Sequence, residues 1–593
     1  MRCSNFLATL LVCCAPLSAA AENQPEIQWL PWSDEIFAQA RKEQKLVLLD
    51  LGAGWCHWCH VMDAQTYADA EVIKLLGAKY LAVRVDADAR PDLANRYEDY
   101  GWPATVVFKW DGTELAKRQG YLPPKPMASM LQAFIDDPTP GPSVVPEPAP
   151  AAAGEAALNA EQLAAMRKIF VEAYDSARGG WGDVHHYLNW NALELCLTEG
   201  AAGDAAMTQR ARQTLTSGLK LIDPVWGGVY QYSTDGDWEH PHFEKIMPFQ
   251  AENLRVFALA ATLWNEPRWL EPAQDIHRYL RAFLTAPDGA FYTSQDADVV
   301  PGEHSAGYFA LDDAARRMRG MPRIDRHIYA RENGLAITGL CALYAASGDA
   351  TALAEARRAA EWIVAQRALP GGGFRHDETD AAGPYLADTL AMARAFLALY
   401  TVTAERPWLA RAQAAAVFID EKFRDEAGFR TAAAAPGAPL APKPQVDENI
   451  WLVRCAAQLH QHTGDERFHA LAGHALRYLA APAVVASQGF GTSGILLARQ
   501  AFATEPAHVT VVGAKDDPAA RALFAAARRG LPPAARLEWL DAREGPLPRA
   551  DVAFPPLAPP AAFLCAKGRC SPPVRTPEQL AQKLAAALAV PAR

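Results

Sequence analysis

The residues best suited to covalent chemistry lie in the stretch Trp55-Cys-His-Trp-Cys-His60. Cys56 follows an apolar strand pattern that ends in Asp50, and helical spacing begins at this cysteine. The N-terminus of a helix carries about half a positive charge, which stabilises a thiolate there. Cys59 lies almost one turn further along, within reach of a mixed disulfide at Cys56. The motif predicts thiol–disulfide exchange, with Cys56 as nucleophile, Cys59 as resolving cysteine and a protonated His57 lowering the pKa of Cys56.

Three other interpretations of the same residues remain open. Cys56-x-x-Cys59-His60 has the spacing of a c-type haem attachment site, but that chemistry needs a fold that encloses a haem. Cys56, His57, Cys59 and His60 are also zinc ligands by type, although four ligands within five residues do not easily complete a tetrahedron. The third interpretation is a static disulfide. We expect no cofactor and no metal ion.

A second set of polar and aromatic residues lies in the middle of the chain. Paired carboxylates about 5–9 Å apart suit glycoside hydrolysis, and His or Glu suits proton transfer in sugar epimerisation. Tryptophan rings suit stacking on sugar faces. The alternatives are a mutual structural pair for His242 and Glu244 and a calcium-like or turn-capping loop for Asp296 and Asp298. The candidate substrate-binding residues are His242, Glu244, Asp296, Asp298, Trp181 and Trp238.

The other cysteines are expected to be less reactive. Cys565 and Cys570, with four residues between them, predict either a static disulfide or a second redox pair. Cys196, Cys341 and Cys455 fall on apolar helical faces and are predicted to be buried and inert.

The elements that position these residues change in type along the chain. Strand patterns at 45–51, 80–86 and 104–109 alternate with helical patterns, which predicts an α/β domain over residues 22–136. Residues 137–157 are rich in Pro and Ala and predict a semi-rigid linker. Strand and helix patterns return after residue 504, so residues 505–593 are predicted to form a small C-terminal α/β segment.

Residues 158–504 carry helical periodicity throughout. Twelve apolar periodic segments form six pairs, and six Gly-aromatic marks, such as Gly179-Gly-Trp181 and Gly372-Gly-Phe374, separate them. We therefore predict an (α/α)6 toroid. Glu-Asn pairs recur at Glu252, Glu332 and Glu448, where they either stabilise helix starts or line a central cavity.

Composition and the N-terminus narrow the class of protein. The 593 residues have a formal charge of −11 and are 50% hydrophobic, which excludes a disordered chain and argues against a nucleic-acid partner. Arg2, an apolar run from Phe6 to Leu17 and small residues up to Ala21 predict a signal peptide over residues 1–21. No later stretch predicts a stable membrane anchor. We expect an exported protein, periplasmic or secreted.

Asp50, Cys56, Cys59 and the Gly101-Trp-Pro103 stretch resemble thioredoxin. That resemblance implies that Asp50 accepts the proton of the second cysteine and that Pro103 is the cis-proline flanking the site, where it acts as a substrate clamp. Cys56-His-Trp-Cys-His-Val-Met62, Pro241-His-Phe-Glu-Lys245, Tyr292-Thr-Ser-Gln-Asp296-Ala-Asp298 and Cys565-Ala-Lys-Gly-Arg-Cys570 resemble the spermatogenesis-associated thioredoxin-domain family, also called domain of unknown function 255. That resemblance implies a thioredoxin-like domain followed by a six-hairpin glycosidase-like domain.

Two functions follow as hypotheses. The first is an exported thiol–disulfide oxidoreductase that acts on protein thiols or disulfides, fused to a toroid that binds a partner or a carbohydrate. The second is a carbohydrate-active enzyme, either an N-acylglucosamine 2-epimerase-like isomerase or a glycoside hydrolase, in which the thioredoxin-like domain is accessory.

Overall fold

A four-stranded sheet forms the centre of the first domain. Its strands are β1 (Leu46–Gly52), β2 (Tyr80–Asp86), β3 (Ala104–Phe108) and β4 (Glu114–Gln119), in the order β2-β1-β3-β4. β1 runs parallel to β2 and antiparallel to β3, and β3 runs antiparallel to β4. β1 is almost wholly buried because both faces of the sheet are covered by helices. The helices of this domain are Ile36–Glu43, His57–Gln65, Ala70–Lys79, Pro91–Tyr97 and Pro124–Asp136.

The computed structural model describes residues 26–33, 35–97, 101–144, 158–380, 382–433, 440–532, 535–555, 557–566 and 569–588. The predicted signal peptide and residues 145–157 of the predicted linker lie outside the described residues.

A closed ring of six inner helices forms the second domain. Each inner helix packs against the next, and the last packs against the first. An outer helix packs against each inner one, and the first outer helix packs against the last inner helix, which closes the ring. The predicted (α/α)6 toroid is therefore confirmed. The inner helices are Trp190–Ala201, Met247–Trp264, Ala330–Ser347, Leu386–Thr403, Val446–Thr463 and Thr492–Ala503, and the outer helices are Ala160–Glu172, Ala205–Gly218, Leu270–Tyr279, Ala350–Arg367, Arg406–Phe423 and Glu466–Leu479.

Two of the repeated Gly-aromatic loops are hydrogen-bonded to asparagines of the Glu-Asn pairs. The side chain of Asn333, in the first turn of its inner helix, bonds both the N–H and the C=O of Phe291 in the preceding loop. Asn449 makes the same two bonds to Phe429. Asn333 and Asn449 therefore fix the loops that precede their inner helices, whereas Asn253 donates to Phe249 in its own helix and Gln250 bonds the corresponding loop at Val229.

The two ends of the toroid carry different domains. The first domain lies where inner helices begin: Asn95 donates hydrogen bonds to Thr431 (2.7 Å) and Glu448 (3.1 Å). The C-terminal segment lies at the other end, where Arg528 stacks on Tyr344 at 3.8 Å.

The C-terminal segment is a four-stranded sheet with two helices. Its strands are His508–Val512, Arg536–Leu540, Ala561–Ala566 and Arg569–Cys570, and its helices are Pro518–Gly530 and Pro577–Leu588. Among the described residues of the whole chain, one helix, Leu386–Thr403, is long and apolar enough to cross a membrane. It is an inner helix of the toroid, and 72% of it is buried inside the protein.

Candidate functional site

Cys56 lies at the start of the helix His57–Gln65, as its position after β1 predicts. It is the N-cap residue in an extended conformation, and its Sγ accepts a hydrogen bond from the backbone N–H of Cys59 at 3.1 Å. Cys56 and Cys59 form a disulfide. In this form neither sulfur is available to a haem or to a zinc ion. The positive end of the helix dipole favours negative charge on Cys56 once the disulfide is reduced.

Asp50 is buried on β1, two residues before Gly52, where a side chain would contact the Sγ of Cys59. The hydroxyl of Tyr67 donates to one carboxylate oxygen of Asp50 at 3.1 Å, and Nε of Arg84 donates to the other at 2.8 Å. Burial raises the pKa of Asp50 to about 6, against the opposing effect of the Arg84 charge. A carboxyl with this pKa exchanges a proton near neutral pH, which suits the proton-accepting role that the resemblance implies.

Pro103 follows a cis peptide bond from Trp102. It is buried, its carbonyl accepts a hydrogen bond from Gly120 at 2.8 Å, and Trp102 packs in the same apolar cluster as Cys56. Its role as substrate clamp stays a prediction.

Loops of the toroid supply carboxylates to both histidines of the cysteine motif. Nδ1 of His57 lies 2.8 Å from Asp298, and Nε2 of His60 lies 3.0 Å from Asp296. Burial opposes protonation of His60, but the hydrogen bond and charge of Asp296 prevail and raise its pKa. The two aspartates therefore bind the histidines that flank the cysteines.

Glu244 occupies the space directly before the cysteine helix. Its Oε1 accepts a hydrogen bond from the backbone N–H of His57 at 3.3 Å, and its Oε2 is buried with no hydrogen-bond partner among the described residues. Nδ1 of His242 is 3.9 Å from Glu244, beyond hydrogen-bond distance. The ring of His242 stacks on Tyr232 at 4.6 Å and faces Trp58 at 6.3 Å.

These contacts enclose Cys56, whose exposed fraction is 4%. The N–H of Ala297 donates to the carbonyl of Trp55 at 3.3 Å, and the guanidinium of Arg323 fills the space beside Gly54. Trp58, which is 39% exposed and stacks on Tyr121 at 5.9 Å, forms the accessible surface next to the disulfide. The disulfide is therefore reached from the Trp58 side unless a toroid loop is displaced.

The two predicted sugar-stacking tryptophans lie elsewhere. Trp181 is 2% exposed, stacks on Phe170 at 5.0 Å and donates to a backbone carbonyl. Trp238 is 3% exposed and donates to the carbonyl of Gly179 at 3.0 Å. Both rings pack in the toroid core, so the expectation that they stack on a ligand is corrected.

Several residues at this site carry no motif in the sequence. Asp88 accepts a hydrogen bond from the indole N–H of Trp55 at 2.7 Å. Burial and the neighbouring Asp86 raise the pKa of Asp88 to about 8. His376 lies 2.7 Å from the backbone carbonyl of Asp88 and 2.9 Å from Asp388, so it joins the toroid to the first domain.

One group of side chains has the composition of a metal site. The ligand atoms of His60, Asp296 and Asp298 lie within 4.8 Å of one another. One imidazole and two carboxylates suit a divalent cation. His60 and Asp296 already bind each other, so a cation would have to replace that hydrogen bond.

The second cysteine pair also forms a bond. Cys565 and Cys570 are joined by a disulfide between the paired strands at the edge of the C-terminal sheet. Cys196, Cys341 and Cys455 are free and buried, and burial raises the pKa of each thiol.

The fold and the site define a thioredoxin-like domain joined to an α/α toroid. Residues 14–136 match the family described as Thioredox_DsbH, protein of unknown function, DUF255. The resemblance to this family that the sequence predicted is confirmed.

The relatives fall into two groups. Human spermatogenesis-associated protein 20 is 26% identical over 314 residues, which cover 46% of this chain and 39% of that protein. This chain thus spans about two fifths of the length of such relatives. The thiol:disulfide interchange protein DsbD 2 of Pseudomonas aeruginosa is 36% identical over 89 residues, covering 14% of this chain and 15% of that protein.

The solved structures with similar folds match at low scores. A sugar epimerase from a ruminal bacterium is 13% identical, with a TM-score of 0.43, and the match covers 53% of this chain and 83% of the epimerase. A family 76 glycoside hydrolase (mannosidase) from Bacteroides thetaiotaomicron is 14% identical, with a TM-score of 0.40, and the match covers 58% and 97% of the two chains.

Proposed function

We propose that the protein is an exported thiol–disulfide oxidoreductase. The observation that carries this proposal is the placement of Cys56 as the N-cap of a helix whose next turn holds Cys59, with the two in a disulfide. A buried Asp50 beneath the pair supplies the proton acceptor. A static disulfide would need neither the helix N-cap position of Cys56 nor a buried carboxyl group beneath the pair.

The reaction proceeds in two exchanges. The Cys56 thiolate attacks a sulfur of the substrate disulfide, which forms a mixed disulfide and expels one substrate thiolate. Asp50 takes the proton of Cys59, whose thiolate attacks the Cys56 sulfur and releases the second substrate thiol. Two electrons pass from the dithiol to the substrate, and the reverse sequence oxidises a substrate dithiol.

In this proposal the toroid supplies side chains that adjust the reactivity of the cysteine pair. Glu244, Asp296 and Asp298, the carboxylates considered for sugar chemistry, bind the backbone or side chains of His57 and His60. Carboxylates held in this way support a role in tuning the cysteine pair, rather than in hydrolysis. Trp58 and Tyr121 offer an aromatic surface on which a protein substrate would lie.

Trapping of the mixed disulfide tests the proposal. A Cys59→Ser variant, reduced and then mixed with bis(2-hydroxyethyl) disulfide, should accumulate a mercaptoethanol adduct on Cys56 that is visible by mass spectrometry. The Cys56→Ser variant should form markedly less adduct, and a Cys565→Ser/Cys570→Ser variant should turn over the substrate like wild type. Equal adduct formation without Cys56 would refute the proposal.

A further inference from the structure

A cavity of about 440 Å³ follows the axis of the toroid, at the end opposite the cysteine pair. All six inner helices line it, mostly through their C-terminal halves, and Arg528 and Leu537 of the C-terminal segment also line it. Its volume lies in the range of ~300–1,000 Å³ that small-molecule sites occupy. Most of the wall consists of small or apolar side chains such as Ala258, Ala398 and Leu497.

The floor of this cavity is a charged cluster with more cations than anions. Three guanidinium groups, those of Arg255, Arg394 and Arg454, contact only two carboxylates, those of Glu194 and Glu252. Burial alone would raise the pKa of Glu194, but Arg255 and Arg454 hold it at about 2, so this carboxylate is ionised. The cluster therefore has an excess positive charge that Glu194 and Glu252 do not neutralise.

Two guanidinium nitrogens in the cluster have no partner among the described residues. They are Nη2 of Arg255, a side chain that is 7% exposed, and Nη1 of Arg454. Both arginines bind Glu194 through their other nitrogens, so the two guanidinium groups meet at one carboxylate on the cavity floor. A buried N–H group without a partner is costly, and two such groups can donate to the two oxygens of a ligand carboxylate.

The ring of Trp451 fixes this arrangement. Arg394 lies 3.4 Å and Arg454 lies 4.2 Å from its centroid. Stacking on the indole restricts the guanidinium planes, so the unpartnered N–H groups are held in place before any ligand arrives.

We propose that the cavity binds an organic monocarboxylate with an apolar body. The carboxylate bonds to Arg255 and Arg454, and the apolar body lies along the small side chains of the inner helices. A ligand with a second charged group at its far end would leave that group unpaired against this wall. The site is independent of the cysteine chemistry, since the two lie at opposite ends of the toroid.

Calorimetric titration with sodium decanoate tests the proposal, with decanol as the uncharged probe. We expect one decanoate to bind per chain, and decanol to bind at least about tenfold more weakly, because it cannot accept two charge-assisted hydrogen bonds. Arg454→Gln should weaken decanoate binding at least about tenfold. Arg467→Gln, at an exposed arginine on an outer helix, should leave binding unchanged.

A second variant tests the cavity without touching the charged cluster. Ala398→Trp fills the bore from one inner helix, and should also abolish decanoate binding while the circular dichroism spectrum stays that of the folded protein. Three results would each overturn the proposal. The first is equal affinity for decanoate and decanol, and the second is no decanoate binding up to about 1 mM. The third is unchanged decanoate affinity in both Arg454→Gln and folded Ala398→Trp.

Discussion

Nδ1 of His57, in the cysteine motif, lies 2.8 Å from Oδ1 of Asp298, a toroid residue 241 positions later in the chain. Both side chains are buried, and the other oxygen of Asp298 accepts a hydrogen bond from Gly302 at 2.8 Å. The loop that carries Asp298 is therefore anchored, and it holds the imidazole beside Cys56 in one orientation.

The first prediction is that Asp298 acts on the cysteines through His57. Asp298→Asn should change the reduction potential of the Cys56–Cys59 pair by roughly 30 mV, equivalent to about 1.4 kcal/mol for a two-electron couple. In a His57→Ala background the same substitution should have almost no effect, because the group that transmits it is gone. Equal shifts in the two backgrounds would show that Asp298 acts independently of His57.

The second prediction concerns Glu244, which accepts a hydrogen bond from the first N–H of the cysteine helix. Its carboxylate competes with the Cys56 thiolate for the same positive end of the helix. Glu244→Gln keeps an acceptor oxygen and removes the charge, so the Cys56 thiol pKa should fall by about one unit and the pair should become more oxidising. Alkylation rate against pH measures the thiol pKa. An increase in that pKa would contradict the role given to Glu244.

The third prediction is a shift in the pH dependence of the resolving step. Burial raises the pKa of Asp50 to about 6, and the Arg84 charge opposes that rise. Arg84→Met removes the positive charge that opposes this rise, so the pKa of Asp50 should increase further. The rate at which the substrate thiol is released from the mixed disulfide should then reach its plateau at higher pH. Asp50→Asn should lack this pH dependence altogether. Stopped-flow release of thiol measures the rate, and an unchanged profile in Arg84→Met would count against Asp50 as the base.

The fourth prediction links pH to the contact between the domains. Burial disfavours a charged His376, but Asp388 outweighs it and raises the pKa of His376 to about 9. Because the folded-state pKa lies above the ordinary value, the stabilisation is complete below about pH 6.5 and is lost as pH rises through about 9. The free energy of unfolding should fall by about 3 kcal/mol over this pH range.

Thermal unfolding at pH 7 and pH 9.5 checks this fourth prediction. The midpoint should fall more between these two pH values for wild type than for Asp388→Asn, in which the cause of the raised pKa is absent. Identical pH dependence of the two proteins would show that His376 does not carry the effect.

Local patterns made the cysteine helix and the toroid predictable. Apolar periodicity placed all twelve helices of the ring, because each buries one face against its neighbours. Three strands of the two four-stranded sheets escaped prediction. Glu114–Gln119 has no β-branched or aromatic residue, and Arg569–Cys570 is only two residues long. Arg536–Leu540 alternates polar and apolar residues, but it buries Arg536 and Glu538 as an ion pair on its polar face.

The sequence allowed most residues of the candidate site to be recognised by type, but it did not predict how they are arranged. His242, Glu244, Asp296 and Asp298 were recognised as functional candidates, yet sequence alone gave no sign that the last three bind the cysteine helix. Such contacts join residues almost two hundred positions or more apart, and no local periodicity encodes them. The expectation that Trp181 and Trp238 stack on a ligand was wrong for the same reason, because the burial of these rings depends on how the turns pack into the core.

The reduction potential of the Cys56–Cys59 pair tests the central claim most directly. Protein equilibrated in glutathione and dithiothreitol redox buffers is alkylated, and the two cysteines are quantified separately from Cys565 and Cys570 by peptide mass. A redox-active pair in the folded protein should titrate as a two-electron couple above about −300 mV. A potential below that value, or resistance to reduction until the protein unfolds, would identify a structural disulfide and contradict the account.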